Sequence, residues 1–299
     1  MPAFSLVSIQ VFLSLNFFCR MKTTFFGLFL LLSVAAKAQY YYNDIIDAGY
    51  LNERMGNYLV NKVVSVSATG FDPQGVKTTD FTELYEIDAN NYTLKISTRN
   101  GQQVKKQYCQ FDNRSRLLSL IDSSGDIKST STYKYNDAGQ VISIKTTTDD
   151  QFSDFNKTKE HQWIYDANGN PVKMWRIRND NDSAEFRFTV DNNGNITDEQ
   201  QYRRGESIDQ VYYYYNANNQ LTDIVRYDKK IKQLLPDFMF EYDEKNRLVQ
   251  KITVLSTTHP DYLIWRYLYN EKGLKTKEAL FNKDKELRGR IEYTYTFAQ

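Results

Sequence analysis

Residues 133–144 read YKYNDAGQVISI, residues 163–174 read WIYDANGNPVKM, and residues 240–252 read FEYDEKNRLVQKI. In each stretch large side chains alternate up to a Tyr, and an Asp or Asn follows it. A Gly or Asn then stands three positions later, and an apolar run resumes. A period of two sets the large side chains on one face of a strand. The Asp or Asn side chain can bond the backbone two residues on and start a tight turn. Gly and Asn are the residues that best tolerate the positive φ such a turn requires. A type I turn closed by a left-handed residue is a common hairpin connection. Each unit reads as a β-hairpin.

Working outward, the same Asp or Asn recurs at Asp112, Asn136, Asp166, Asp191, Asn216, Asp243 and Asn270, with weaker copies at Asp72 and Asp88. The left-handed turn residues are Gly139, Gly169, Gly194, Asn219, Asn246 and Gly273, with Gly75, Asn91 and Ser115 at the same place in other copies. Pro171 occupies the position where Leu117, Val141, Ile196, Leu221 and Leu248 begin return strands, so Val172 is expected to take that role through a one-residue bulge. A final stretch, IEYTYTF (291–297), supplies a strand without a turn. Two strands per unit give roughly 16 to 18 strands in an antiparallel meander.

The expected fold is all-β: tandem hairpin repeats forming one long curled antiparallel sheet, with the Tyr columns inside. At about 4.8 Å per strand the ribbon would be on the order of 80 Å long, and open sheets beyond about 10 strands curl or split. The polar stretches 146–159, 178–185 and 227–237 are expected as loops along the rim opposite the tight turns. Residues 43–59 carry Ile45, Ile46, Leu51, Met55 and Tyr58 at helical spacing, with Asn43 or Asp44 as a cap. They predict a short helix that caps the exposed first strand, against which Gly49 and Gly56 weigh.

The first 38 residues differ from the rest. Met21 and Lys22 precede the apolar run FFGLFLLLSV (25–34), and Ala36 and Ala38 place small residues at the −3 and −1 positions of a cleavage site. This pattern reads as a secretory signal, with the mature chain starting at Gln39. Residues 1–20 read as a start called too early, with a longer signal or a two-segment anchor as alternatives. Cys19 follows Phe17 and Phe18, which disfavours a lipoprotein site. The domain division is a leader (1–38), an N-terminal cap (39–60) and a repeat domain (61–299).

The 261 residues after Ala38 hold 35 basic and 37 acidic side chains. That balance excludes nucleic-acid binding through a general basic field and offers no polybasic membrane anchor. They retain a single cysteine, Cys109, so no internal disulfide can form. Export of a large chain without disulfides points to a Gram-negative envelope, and the expected location is periplasmic or extracellular, with no membrane span after cleavage.

These turns resemble the YD repeat of RHS-type proteins, whose signature runs roughly Y-x-Y-D-x-x-G-R-L. The likeness rests on FEYDEKNRL (240–248), YKYNDAGQV (133–141) and YLYNEKGL (267–274, one residue short), and covers about 108–297. Large members of that family are similar to hollow β-sheet shells enclosing a toxin domain, or to surface and envelope proteins. This chain has far fewer repeats and ends at Gln299 with no following toxin domain, so a small exported repeat protein fits better than a sealed shell.

Candidate chemistry is sparse. HExxH, paired-Cys zinc spacing, GxSxG and a phosphate-cradling Gly-rich loop are missing. Neither a metal nor a cofactor is expected. The DANGN (166–170) and DNNGN (191–195) loops read as turn chemistry rather than calcium sites, because sister repeats carry Asn where a carboxylate should be. His161 falls in the apolar column as a structural residue, His259 in a loop, and Cys109 in a small buried position. Within the run Tyr212–Tyr215, Tyr213 and Tyr215 point inward, so Tyr212 and Tyr214 face the other way. With Trp175 they are the candidate ligand-binding aromatics, set against a plain cross-strand ladder. The expected function is a non-catalytic exported protein that binds a glycan or protein partner. The alternatives are an RHS-like component that wraps a toxin or secreted polypeptide, and an envelope hydrolase with convergent carboxylates.

Overall fold

The computed structural model describes residues 40–150, 153–179, 181–228, 231–256 and 261–299. The leader and His259 fall outside them. Helix α1 (Asn43–Val60) comes first. Then follow β1 (Val63–Phe71), β2 (Lys77–Asp88), β3 (Thr93–Asn100), β4 (Gln103–Phe111), β5 (Leu117–Ser124) and β6 (Ile127–Tyr135). The middle of the chain forms β7 (Val141–Asp150), β8 (Ser153–Tyr165), β9 (Pro171–Arg178), β10 (Asp182–Val190), β11 (Ile196–Arg203) and β12 (Glu206–Tyr215). The last third forms β13 (Leu221–Asp228), β14 (Gln233–Tyr242), β15 (Leu248–Ser256), β16 (Asp261–Tyr269), β17 (Lys275–Phe281) and β18 (Leu287–Phe297).

Consecutive strands pair antiparallel, and β1 pairs with both β2 and β18. The sheet is therefore a closed 18-stranded barrel, where the repeats read as one long curled antiparallel meander. The half-repeat in β18 finds its missing partner in β1, with Ala68 opposite Tyr293 and Gly70 opposite Ile291. Closure pairs the N–H and C=O groups that two free edges would leave bare. With no exposed first strand to cap, α1 takes a different place.

The tight turns behave alike. In the Asp166 turn, Gly169 N donates to Asp166 O, and Asp166 N donates to Asn170 O. Asp166 Oδ1 accepts the N–H groups of Asn168 and Asn170 at 2.9 and 2.8 Å. The residue three positions on is left-handed, with φ of 83° at Gly139, 84° at Gly169, 82° at Gly194, 58° at Asn219, 62° at Asn246 and 74° at Gly273. At Asp88 the left-handed residue is Tyr92, one position later than the motif places it. The turns from Asp112 to Asn270 each skew the ladder by one residue, and Pro171 sits opposite Tyr165 as Val141 sits opposite Tyr135. Pro171 thus opens β9 itself, and Val172 is not needed in its place.

Most of these turns share one rim. The Asp72 turn joins β1 to β2 at the opposite rim, together with an Asn282 turn whose left-handed residue is Lys285 (φ 61°). The polar stretches expected as loops are mostly strand, since β7 runs to Asp150 and β8 starts at Ser153. Polar side chains hold this extension together, with Ser129 bonded to Thr148 at 2.9 Å and Ser131 to Thr146 at 2.8 Å.

Inside and outside differ, although neither is uniform: Arg176, Arg226 and Lys251 stand over inner aromatic rings, and Leu84, Ile164 and Leu268 are exposed on the outer wall. Inward faces carry Phe111, Leu117, Met174, Phe186, Ile196 and Ile224, all buried. The outer wall carries charge at mid-strand, including the ion pairs Lys173–Glu185–Arg187 and Lys277–Glu292–Arg290. A membrane-spanning barrel needs the reverse pattern, an outward apolar band, and each charge facing lipid at mid-depth costs about 2–4 kcal/mol. Among the described residues no helix is long and apolar enough to cross a membrane.

Candidate functional site

Eighteen strands at about 4.8 Å give a girth of at least about 86 Å, a circle roughly 27 Å across. Barrels of this size leave a channel unless something fills it. Here the chain fills its own. Tyr41 packs on Phe186 of β10, Tyr42 edge-on to Tyr213 of β12, Tyr40 on Phe238 of β14, and Tyr58 on Tyr295 of β18. Leu117 N of β5 donates to Asn52 Oδ1 at 2.8 Å. Only an element inside the ring reaches walls so far apart.

Along its whole length α1 stays beside the tight turns. Ile45, Ala48 and Gly49 line a recess with Gly139, Gly169 and Gly194, and Asn61 Nδ2 donates to Lys272 O in the β16–β17 turn. Eighteen residues at about 1.5 Å per residue span about 27 Å, so the helix bridges the lumen at that rim. The sequence expectation of a helix is met, but it plugs the barrel rather than covering an edge.

Polar contacts anchor the plug. Glu199 on β11 is 3% exposed and accepts the N–H groups of Tyr41 (3.0 and 2.9 Å) and Tyr42 (3.0 Å) and the Tyr213 hydroxyl (3.0 Å). Tyr42 is the helix N-cap and has no side-chain cap bond. Glu199 thus brings negative charge to the positive end of α1. Burial dominates its titration and lifts its carboxyl to about 7, against the pull of these hydrogen bonds and of Arg226. His161, buried in its column, pairs through Nδ1 with Asp44, and Arg176 Nη1 donates to the Tyr41 hydroxyl at 2.8 Å. Glu199 stands between Phe188 and Val211 on neighbouring strands, a placement that register decides, so the sequence carried no signal for it. Its partners, more than 150 residues upstream, carried none either.

Two recesses flank α1. One, of about 140 Å³, is lined by Asp44, Asp47, Ser131, Thr146, Lys159 and His161 among others. Asp47 is exposed within it, yet the barrel wall surrounds it. That enclosure and the neighbouring Asp44 raise its carboxyl to about 6. The other, of about 340 Å³, lies between α1 and the turns.

The sequence-predicted aromatics lie on the outer wall. Tyr214 is 47% exposed, while Tyr212 and Trp175 are half-buried. Trp175 stands three strands from the Tyr pair, opposite Gln162 and Glu185, with Lys173 over its ring. The structure therefore does not bring Trp175 together with Tyr212 and Tyr214. It places the Tyr pair at the end of an outward row instead. Tyr214 lies opposite Asp223, which lies opposite Met239, then Ile252, Ile264 and Phe281 on successive strands.

No protein-family model matches this chain, and no curated protein matches it in sequence. Among solved structures it is similar to a porin-like protein from Bacteroides uniformis, at 8% identity and a TM-score of 0.37, covering 78% of this chain and 98% of that one. A porin-like protein from Bacteroides vulgatus matches at 13% identity and a TM-score of 0.27, with the same coverage. The Tc holotoxin pore of Photorhabdus luminescens matches at 10% identity and 0.33, over 72% of this chain and only 12% of that one. All three scores are too low to transfer function.

The remaining candidates have structural duties. Cys109 is buried in the inner column, and burial pushes its thiol up to about 11, away from a nucleophile's range. Both oxygens of Asp166 and of Asp191 accept hydrogen bonds within their own turns.

Proposed function

We propose that this chain is an exported, non-catalytic β-barrel that binds a protein partner at the cell envelope or outside the cell. The observation that carries this reading is the outward-facing row that starts at the exposed Tyr214 and, beyond Asp223, continues through the half-buried Met239, Ile252 and Phe281 and the buried Ile264, flanked by Tyr212 opposite Val225. Apolar side chains grouped on an outer wall mark interaction sites where solvent reaches them, and Tyr214, 47% exposed with Tyr212 close by, supplies large contact area with a polar tip. A protein partner is favoured over a glycan because Met239 and Ile252 continue the row from the Tyr pair, whereas sugar rings stack on aromatic faces. The inner acids and His161 hold the plug, which supports a non-catalytic reading. An RHS-like wrapping role would require α1 to vacate the lumen first.

Capture from envelope fractions tests this. Wild-type protein is expected to retain a partner that the double variant Tyr212→Ala, Tyr214→Ala loses, with the circular dichroism spectrum unchanged. Retention of every captured partner by the double variant overturns the assignment, and binding to a glycan array instead transfers the surface to sugars.

A further inference from the structure

Gly49 sits inside α1, where glycine weakens a helix relative to alanine. Nothing among the described residues requires it. A Cβ built there meets no atom within 4 Å, and the backbone is helical rather than left-handed. What lies beside Gly49 is the recess of about 340 Å³ at the turn rim. Gly49 is exposed, so solvent reaches this space. We infer that the recess is a binding site for a neutral, mainly apolar small molecule with a ring, and that Gly49 keeps its mouth clear. This site is separate from the outer row and does not depend on it.

The lining sets the chemistry. Tyr42, Tyr135 and Tyr165 give aromatic walls, and Ile45, Val141 and Ile196 give aliphatic ones. No charged side chain lines the recess, so a charged ligand would lose hydration without compensation. Most of the polar groups are already used: Tyr135 and Tyr165 donate to the carbonyls of Leu117 and Val141, Gln140 Nε2 donates to Gly169 O, and Asn52 Oδ1 accepts Leu117 N. A densely hydroxylated sugar would find few free partners. The volume falls within the range of small-molecule pockets, about 300–1,000 Å³.

N-phenyl-1-naphthylamine, a neutral fluorescent ring compound, tests the site on the full mature chain. Wild type is expected to bind it saturably at one site, Gly49→Ala to bind it with a raised melting temperature, and Gly49→Phe to lose at least tenfold in affinity. Ile45→Trp, which fills the recess from the adjoining position of the same helix, is expected to lose affinity too and covers the case in which Gly49→Phe fails to fold. Absence of saturable binding to wild type, unchanged affinity in a folded filling variant, or displacement of the probe by methyl glucoside would each overturn the inference.

Discussion

Glu199 receives the backbone N–H of Tyr41 from 158 residues upstream, at 2.9 Å to one oxygen and 3.0 Å to the other. This contact joins the plug to the wall in a part of the lumen closed to water. Replacing Glu199 with Ala would take this acceptor away from the N–H groups of Tyr41 and Tyr42 and from the Tyr213 hydroxyl. A buried donor that loses its acceptor costs about 1–3 kcal/mol. The expected outcome is a lower denaturation midpoint together with faster amide exchange confined to residues 40–60. Uniform exchange change across the barrel would show that the plug and wall unfold as one unit.

The same residue fixes a pH dependence. Its carboxyl titrates near 7 in the folded state, above the ordinary Glu value of about 4.3. The folded protein therefore holds this proton more tightly than the unfolded chain does. The stabilisation is fully present below about pH 4 and is lost as pH rises toward 7. Asp47, raised to about 6, adds a weaker effect of the same sign because solvent reaches it. Melting temperature across pH 5 to 8 is expected to fall through this window, and Glu199→Gln is expected to flatten the fall.

Tyr preceding the turn residue has its own role. Tyr135, Tyr165, Tyr242 and Tyr269 donate to the carbonyls of Leu117, Val141, Leu221 and Leu248, tying each repeat to the one before it, and Tyr295 in the turnless last strand does the same to Lys275. Tyr215 makes no such bond; its hydroxyl is buried near Tyr42. Tyr165→Phe is expected to lose about 1 kcal/mol, and Tyr215→Phe nothing or a slight gain. Equal losses in urea titrations would refute a role for the carbonyl bond.

At the turns, Gly194 has φ of 82°, and an added Cβ would stand 2.8 Å from Asn170 Oδ1. Gly194→Ala is expected to cost about 1–2 kcal/mol, more than Gly101→Ala, whose Cβ meets open space at φ 58°. Thermal melts of the two variants provide the comparison.

Much of the wall was legible because it is local. Asp166, Gly169 and the alternating Trp163 and Tyr165 state a hairpin within a dozen residues, and short-range hydrogen bonds enforce it. The Asn282 turn escaped notice because Lys285 takes the left-handed position that Gly or Asn usually holds. Tyr212 and Tyr214 were placed on the outer face by parity alone. That Met239, Ile252 and Ile264 line up beyond them was not legible, since register across bulged strands is set by pairing.

By itself, then, the order of residues determined the hairpin, its turn and the side of each strand that leaves water, all governed by contacts a few positions apart. Only the tertiary structure decided that β18 meets β1, that α1 lies within the ring, and that Glu199 holds Tyr41. Those outcomes depend on pairing free edges and filling a wide lumen, which are properties of the closed whole and not of any one repeat.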